Sequence, residues 1–237
     1  FEFTVQDDDG AESAQATFNI TVNDKPVSSV NTGTTVNEDS ADNVVTAAML
    51  AYTDADDDDA SLVYTVKIAP TNGTLQLDAA DLGVGSTFTQ QDIIDGDINY
   101  DRNPGTDDDS FEFTVQDDDG AESAQATFSI TVNDKPVIAT NSALTVNEDA
   151  TGTILNNGYL ASTYADDANA SLIYTITDAT DQGTLRNGGT ALGAGNTFTQ
   201  QNIDNGDVTY NHAGGTTDDA FKFTVKDDGG ATTAEFT

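Results

Sequence analysis

Short stretches of this chain alternate between apolar and polar residues. Phe1-Glu2-Phe3-Thr4-Val5 is one, and Phe18, Ile20 and Val22 line one face of the next. Leu62, Tyr64, Val66 and Ile68 share a face further on, and Phe111-Glu112-Phe113-Thr114-Val115 repeats the opening words. A period of two is that of a half-buried strand, so each is predicted as one. Thr34 to Asp39 reads as a short edge strand running into an acidic end, and Val44 to Leu50 as a second short strand. Thr74–Leu77 and Ile98–Tyr100 are two more. Asp7-Asp8-Asp9-Gly10, Pro70-Thr71-Asn72-Gly73 and Gly83-Val84-Gly85 carry turn chemistry between strands. Asn23-Asp24-Lys25-Pro26 ends a strand, because proline has no N–H to give a continuing ladder. One segment reads as a single helical turn: Thr89 as N-cap, Asp92 closing a weak capping box, Gly96 stopping it. About seven short strands per unit, with no sustained amphipathic helix, predict an antiparallel sandwich.

The pattern recurs. Phe111 to Val137 repeats Phe1 to Val27 with a single change, Ser129 for Asn19, and a looser copy runs from Phe221 to Thr237. The spacing is 110 residues each time, long enough for a unit to bury its own core. The expected organisation is residues 1–27 as the tail of a first repeat, 28–137 as a complete one, and 138–237 as another cut short at its last strand. Phe1 lies inside a repeat, so the chain reads as a window on something longer. Its last repeat is expected to be frayed or completed by a neighbouring chain.

Charge sharpens this picture. Forty-two Asp and Glu against seven Lys and Arg give a net charge of −35, which would repel nucleic acid and anionic membrane surfaces alike. No apolar run approaches the roughly 20 residues of a membrane span, so no direct insertion is expected. With no cysteine, disulfides are excluded. Hard cations such as Ca²⁺ take six to eight oxygen ligands from carboxylates and carbonyls. This chain sets its aspartates at the loops between strands, where short side chains make compact cages. The bland alternative is that they keep a protein soluble in salt, and Asp57, Asp58, Asp59 and the trio Asp107, Asp108, Asp109 are read that way. An EF-hand is rejected, since counting from Asp54 places Asp59 at the turn glycine and Thr65 at the bidentate glutamate.

Catalytic readings find little to use. The lone histidine, His212, reads as a surface turn residue whose counterpart in the previous repeat is Arg102, and no nucleophile–base pairing occurs in both repeats. No enzyme is expected. Asn19-Ile20-Thr21, Asn72-Gly73-Thr74 and Asn169-Ala170-Ser171 fit the glycosylation sequon, a triplet common by chance.

Several motifs together resemble the cadherin repeat. Val36-Asn37-Glu38-Asp39 is similar to its early Glu motif, Thr53-Asp54-Ala55-Asp56 to its DxD loop, and Phe113-Thr114-Val115-Gln116-Asp117 to its late strand. Val132-Asn133-Asp134-Lys135-Pro136 resembles its linker. The middle of the unit, Phe88-Thr89-Gln90-Gln91-Asp92-Ile93 with Ile98-Asn99-Tyr100, is closer to the chondroitin-sulfate-proteoglycan repeat, a variant found in large bacterial surface adhesins. The resemblance implies an all-β fold of tandem antiparallel Greek-key β-sandwich repeats arranged as a rod, with Ca²⁺ at each repeat junction. At the first junction it nominates Asn23, Asp24, Asp54, Asp56 and Asp117. At the second it nominates Glu38, Asn133, Asp134, Asp166 and Asp227. Tyr164 stands where the match to Asp54 would be, so the second junction loses a carboxylate and is expected to bind fewer or weaker ions. The acidic motif of mid-repeat has no clear counterpart, which leaves the ion number open.

The expected function is an extracellular stalk segment at a cell surface, working in adhesion or in a surface filament. Its partners are neighbouring repeats of the same chain, with self-assembly into a filament as a variant and any glycan or cell-surface target left to other domains. The alternative is a carbohydrate-binding module. That would need a flat platform of exposed aromatics, yet the chain has no Trp, and Tyr64, Tyr100 and Tyr174 fall at strand-interior positions.

Overall fold

The computed structural model describes residues 1–166 and 171–237. Asn169 and Ala170 of the third sequon lie outside the described residues. The opening hairpin is β1 (Glu2–Phe3) with β2 (Ala16–Thr17). The second repeat opens with β3 (Val27–Asn31), β4 (Thr34–Asn37), β5 (Asn43–Val44) and β6 (Leu50–Thr53). A 3₁₀ turn over Asp59–Ser61 leads to β7 (Val63–Ile68), β8 (Gly73–Leu77), β9 (Ala80–Asp81) and β10 (Thr87–Thr89). Helix α1 (Gln90–Asp95) precedes β11 (Ile98–Arg102), β12 (Asp109–Gln116) and β13 (Ala126–Asn133).

The third repeat retraces this order with β14 (Val137–Asn141), β15 (Thr153–Ile154), β16 (Leu160–Thr163) and β17 (Ile173–Asp178). Then come β18 (Gly183–Asn187), β19 (Thr190–Ala191), β20 (Thr197–Thr199) and α2 (Gln200–Asn205). It closes on β21 (Val208–His212) and β22 (Lys222–Lys226).

The expected all-β sandwich is what forms. In the second repeat one sheet runs β10-β7-β12-β13-β4 and the other β5-β11-β8-β9, while β3 pairs with β6 beside them. Tyr64, Val66, Phe111, Phe113 and Phe128 from the first sheet meet Leu75, Ile98 and Tyr100 from the second in one fully buried core. Tyr64 stacks on Phe88 at 4.9 Å between ring centroids, and Tyr174 on Phe198 does the same in the third repeat. The three strand tyrosines are therefore interior, leaving no aromatic platform among them for a sugar. The exposed rings of Phe1, Phe3 and Phe18 are tilted 35–47° to one another.

One pair departs from the antiparallel scheme: β4 lies parallel to β13. To reach it the chain leaves β3, which pairs with β6, and crosses to the five-stranded sheet within a few residues. Gly33 makes that step, with φ +70° and a Cβ position only 2.5 Å from the Ser129 carbonyl oxygen. A side chain there would meet backbone. Gly73 is fixed for another reason, since its face is covered by the Tyr100 ring, as Gly183 is by Tyr210.

Local expectations are corrected in three places. The strand expected over Val44–Leu50 is two strands, β5 and β6, with a turn between them in which Met49 and Leu50 donate to the Thr46 carbonyl. Ile68 is 48% exposed, because a register shift opposite Glu112 and Phe113 puts one extra β7 residue in the ladder and turns its end outward. Its counterpart in the third repeat is Asp178, as an outward position allows. In the opening segment only Glu2–Phe3 and Ala16–Thr17 are strand, and Phe1, Val5, Phe18, Ile20 and Val22 stay exposed. The sheets that bury their counterparts have no equivalent around them.

At the other end, Phe236 exchanges backbone bonds with Phe223, and Lys226 bridges Thr232. Residues 144–147 stand in no sheet, whereas their counterparts in β4 lean on β13.

Helix α1 shows the capping box in full: Thr89 Oγ1 accepts from Asp92 N at 3.1 Å, Asp92 accepts from Thr89 N, and Gly96 takes φ +82°. Thr89→Ala is expected to cost about 1 kcal/mol, read as a lower urea midpoint at unchanged slope.

Candidate metal centre at the repeat junctions

Three segments converge at the first junction. These are the linker Asn23-Asp24, the acidic loop between β6 and β7, and the turn that follows β12. The turn is pinned by Asp117, 5% exposed, whose Oδ1 accepts from Ala121 N at 2.7 Å. Its Oδ2 accepts from Asn23 Nδ2 at 3.0 Å, one of the bonds that hold the linker to the sandwich. Asp24 N faces the Asp56 carboxylate at 3.4 Å. Within the loop, Asp56 N donates to Asp54 Oδ1 at 3.1 Å and Asp54 N to Asp59 Oδ1 at 2.7 Å. Asp58 caps the 3₁₀ turn through Ala60 N.

The loop gathers carboxylates tightly. One ligand oxygen each from Asp54, Asp56 and Asp57 lies within 4.8 Å of the others, and so do those of Asp57, Asp118 and Asp119. Crowding shows in their protonation. A hydrogen bond with Asp118, burial and the charges of Asp118, Asp119 and Asp54 push the Asp57 carboxyl up to about 6. Asp56 is also raised, first by its contact with Asp54, while the Asp56 backbone N–H holds Asp54 low. No cation relieves them from the linker, because Lys25 Nζ is turned to the Glu122 carbonyl at 3.0 Å.

The expected first-junction residues Asn23, Asp24, Asp54, Asp56 and Asp117 are thus brought together. Asp57, Asp118 and Asp119 belong with them and were not expected. Asp57, expected as a solvating charge beside Asp58 and Asp59, joins the carboxylate cluster, and only the latter two spend their carboxylates on the loop's own backbone. A signal was present: Asp57 and Asp118 recur as Asp167 and Asp228, whereas Asp58 and Asp59 become Ala168 and Asn169.

Of the trio Asp107, Asp108 and Asp109, expected to be solvating, Asp108 and Asp109 are corrected, while the Asp107 side chain stays exposed. Asp109 is a buried anchor in the sandwich, accepting from Thr71 N, Asn72 N, Ser110 N and the Tyr100 hydroxyl at 2.8–3.0 Å. Asp108 Oδ1 accepts from Val132 N, and the Asp107 carbonyl from buried Arg102.

The second junction is built differently. Asn133 Nδ2 donates to Asp227 Oδ2 at 3.2 Å and to Asn37 Oδ1 at 2.9 Å. Asp134 N reaches Asp166 Oδ2 at 2.7 Å, and Lys135 N reaches Glu38 Oε2 at 3.0 Å. Glu38, Asn133, Asp134, Asp166 and Asp227 are neighbours here mainly through the linker's own N–H groups. Burial, then the charges of Asp166 and Glu38, raise the Asp134 carboxyl. Tyr164 is buried, and its hydroxyl donates to Asn133 Oδ1.

A family model described as cadherin-like matches residues 26–132 and again residues 136–237. The chain belongs to the cadherin-like family. It is similar to the extracellular matrix organizing protein FRAS1 of Mus musculus, 32% identical over 238 residues that make up 96% of this chain and 6% of that protein. Extracellular matrix protein 3 of Lytechinus variegatus is 28% identical over 96% of this chain and 8% of its own length. FRAS1-related extracellular matrix protein 2 of Homo sapiens is 33% identical over 70% of this chain and 6% of its own. The chain spans less than a tenth of each of these relatives.

Proposed function

We propose that this chain is a non-enzymatic stretch of an extracellular rod, in a matrix or at a cell surface, whose cadherin-like repeats are stiffened by Ca²⁺ at their junctions. One observation carries the reading. At the first junction the oxygens Asn23 Oδ1, Asp54 Oδ2 and Asp57 Oδ2 are buried with no hydrogen-bond partner. Buried oxygens without donors are costly, and cations bound at this junction would satisfy them. Their donor set suits calcium, being hard oxygen only.

Asn23, Asp24, Asp54, Asp56, Asp57, Asp117, Asp118 and Asp119 are the residues that would hold ions there. Glu38, Asn133, Asp134, Asp166 and Asp227 are the corresponding candidates at the second junction. Bound calcium would tie the linker to the sandwich that follows it and cancel repulsion among the carboxylates. The extracellular setting is supported by relatives whose names place them in the matrix. Assembly into a longer filament would then proceed by addition of like repeats.

Extracellular modules hold calcium at roughly 10⁻⁴–10⁻³ M, so ~10 mM calcium should stabilise the fold by about 1.4–2.7 kcal/mol per ion. Melting curves and small-angle scattering, each with calcium and with chelator, test this. The expected result is a higher melting temperature and a longer, stiffer particle in calcium. Curves that superimpose would refute it.

A further inference from the structure

We propose that the second junction is latched by the protein's own bonds, with or without an ion, the Tyr164 hydroxyl satisfying the amide oxygen that the first junction leaves for a cation. This builds on the calcium reading of the first junction. Over the described residues the two junctions can be compared position by position, because the repeat spacing of 110 maps Asn23 onto Asn133, Asp117 onto Asp227 and Asp54 onto Tyr164. In both, the linker amide nitrogen donates to the buried aspartate of the β12- or β22-end turn. The amide oxygens differ. Asn23 Oδ1 is buried and unpartnered, whereas Asn133 Oδ1 already accepts from the Tyr164 hydroxyl, and among the described residues the second junction leaves only Asp134 Oδ1 buried without a partner.

Tyr164 is 8% exposed and packs with the third repeat's core, so its hydroxyl is held at the junction by a ring that cannot swing away cheaply. A second change agrees with the first. Gly229 replaces Asp119, and a Cβ there would lie 2.4 Å from Asn133 Oδ1. Asn133 has therefore moved into the space where a carboxylate-bearing residue would stand. Each carboxylate triad of the first junction loses one member at the second, the former to Tyr164 and the latter to Gly229.

Direct bonds take over instead. Asp134 N lies 2.7 Å from Asp166, where Asp24 N stands off at 3.4 Å from Asp56. Lys135 is held at N by Glu38 and at Nζ by Asp39, so the linker is bonded to the repeats on both sides. One stretch of chain then has two kinds of joint, the first set by calcium and the second permanently latched.

The absence of cysteine makes a clean test possible. Spin labels at Gln91→Cys and Gln201→Cys, exposed on α1 and α2, report the distance across the second joint. The expected result is one narrow distance peak that is the same in calcium and in chelator. Tyr164→Phe keeps the ring and removes only the hydroxyl, and should lose that narrow peak in chelator; Asn133→Ala, which removes the acceptor, should lose it too. Circular dichroism confirms that each variant is folded. A wild-type peak that broadens on chelation, or a Tyr164→Phe peak as narrow as wild type, would overturn the latch. Calorimetric calcium titration of the same samples judges the calcium reading separately, since the Tyr164→Phe comparison in chelator does not depend on it.

Discussion

Phe113→Ala is expected to unfold the second repeat far below its normal temperature while leaving the third repeat's transition in place. Phe113 is fully buried at the centre of the sandwich, with ring centroids 5.5 Å from Tyr64 and 5.8 Å from both Tyr52 and Phe111. Truncation removes apolar contact from three rings and leaves a cavity that two hydrogen-bonded sheets cannot collapse to fill. Such losses run to about 3–5 kcal/mol. At roughly 4–8 °C per kcal/mol for a domain of this size, the transition should fall by on the order of 15–30 °C. The third repeat has a separate core around Tyr174, Phe198 and Phe223, so calorimetry should show one transition moving and one staying. Phe223→Ala should exchange their roles. A joint shift of both transitions would mean that the two cores unfold as one unit.

Asp109→Ala is expected to be nearly as damaging, although it removes a single acid from a chain with 42 of them. This carboxylate ties the Thr71-Asn72 turn to the start of β12 and receives the Tyr100 hydroxyl at 2.8 Å. Burial, with Asp109 alongside, drives the Tyr100 hydroxyl pKa far up, so it remains a donor at every working pH. Without Asp109 three backbone N–H groups and this hydroxyl lose their acceptor, at a cost on the order of 3–5 kcal/mol. Urea midpoints measure it. Tyr100→Phe removes one of the four donors and should cost about 1 kcal/mol. The same anchor recurs in the third repeat, where Asp219 accepts from Asp181 N and from the Tyr210 hydroxyl. An Asp109→Ala effect within the ~0.5 kcal/mol of ordinary surface changes would contradict this role.

Much of the fold could be read because its signals are local. Alternation marks β7 and β12, Thr89 with Asp92 and Gly96 marks α1, and the 110-residue spacing marks the repeat. What escaped depends on partners distant in sequence. The parallel pairing of β4 with β13 joins Val36 to Val132, and no local pattern encodes it. Ile68 alternates correctly yet faces out, because the bulge is set by its neighbour strand.

The acids were the hardest to sort. Asp58 and Asp59 support the loop, Asp109 anchors the core, and Asp57 joins the carboxylate cluster, yet all sit in runs of identical letters. Only geometry assigns them. Tyr164 was visible as a missing carboxylate, but its hydroxyl's bond to Asn133 was not, since the two are 31 residues apart.

The claim most in need of measurement is that a hard cation sits at the first junction. Crystals of this chain grown in millimolar calcium would answer it directly. The expected map shows a strong peak with oxygens of Asp54, Asp57 and Asn23 at roughly 2.3–2.6 Å, the calcium–oxygen range. Water alone at that position, with hydrogen-bond distances near 2.8 Å, would contradict the account.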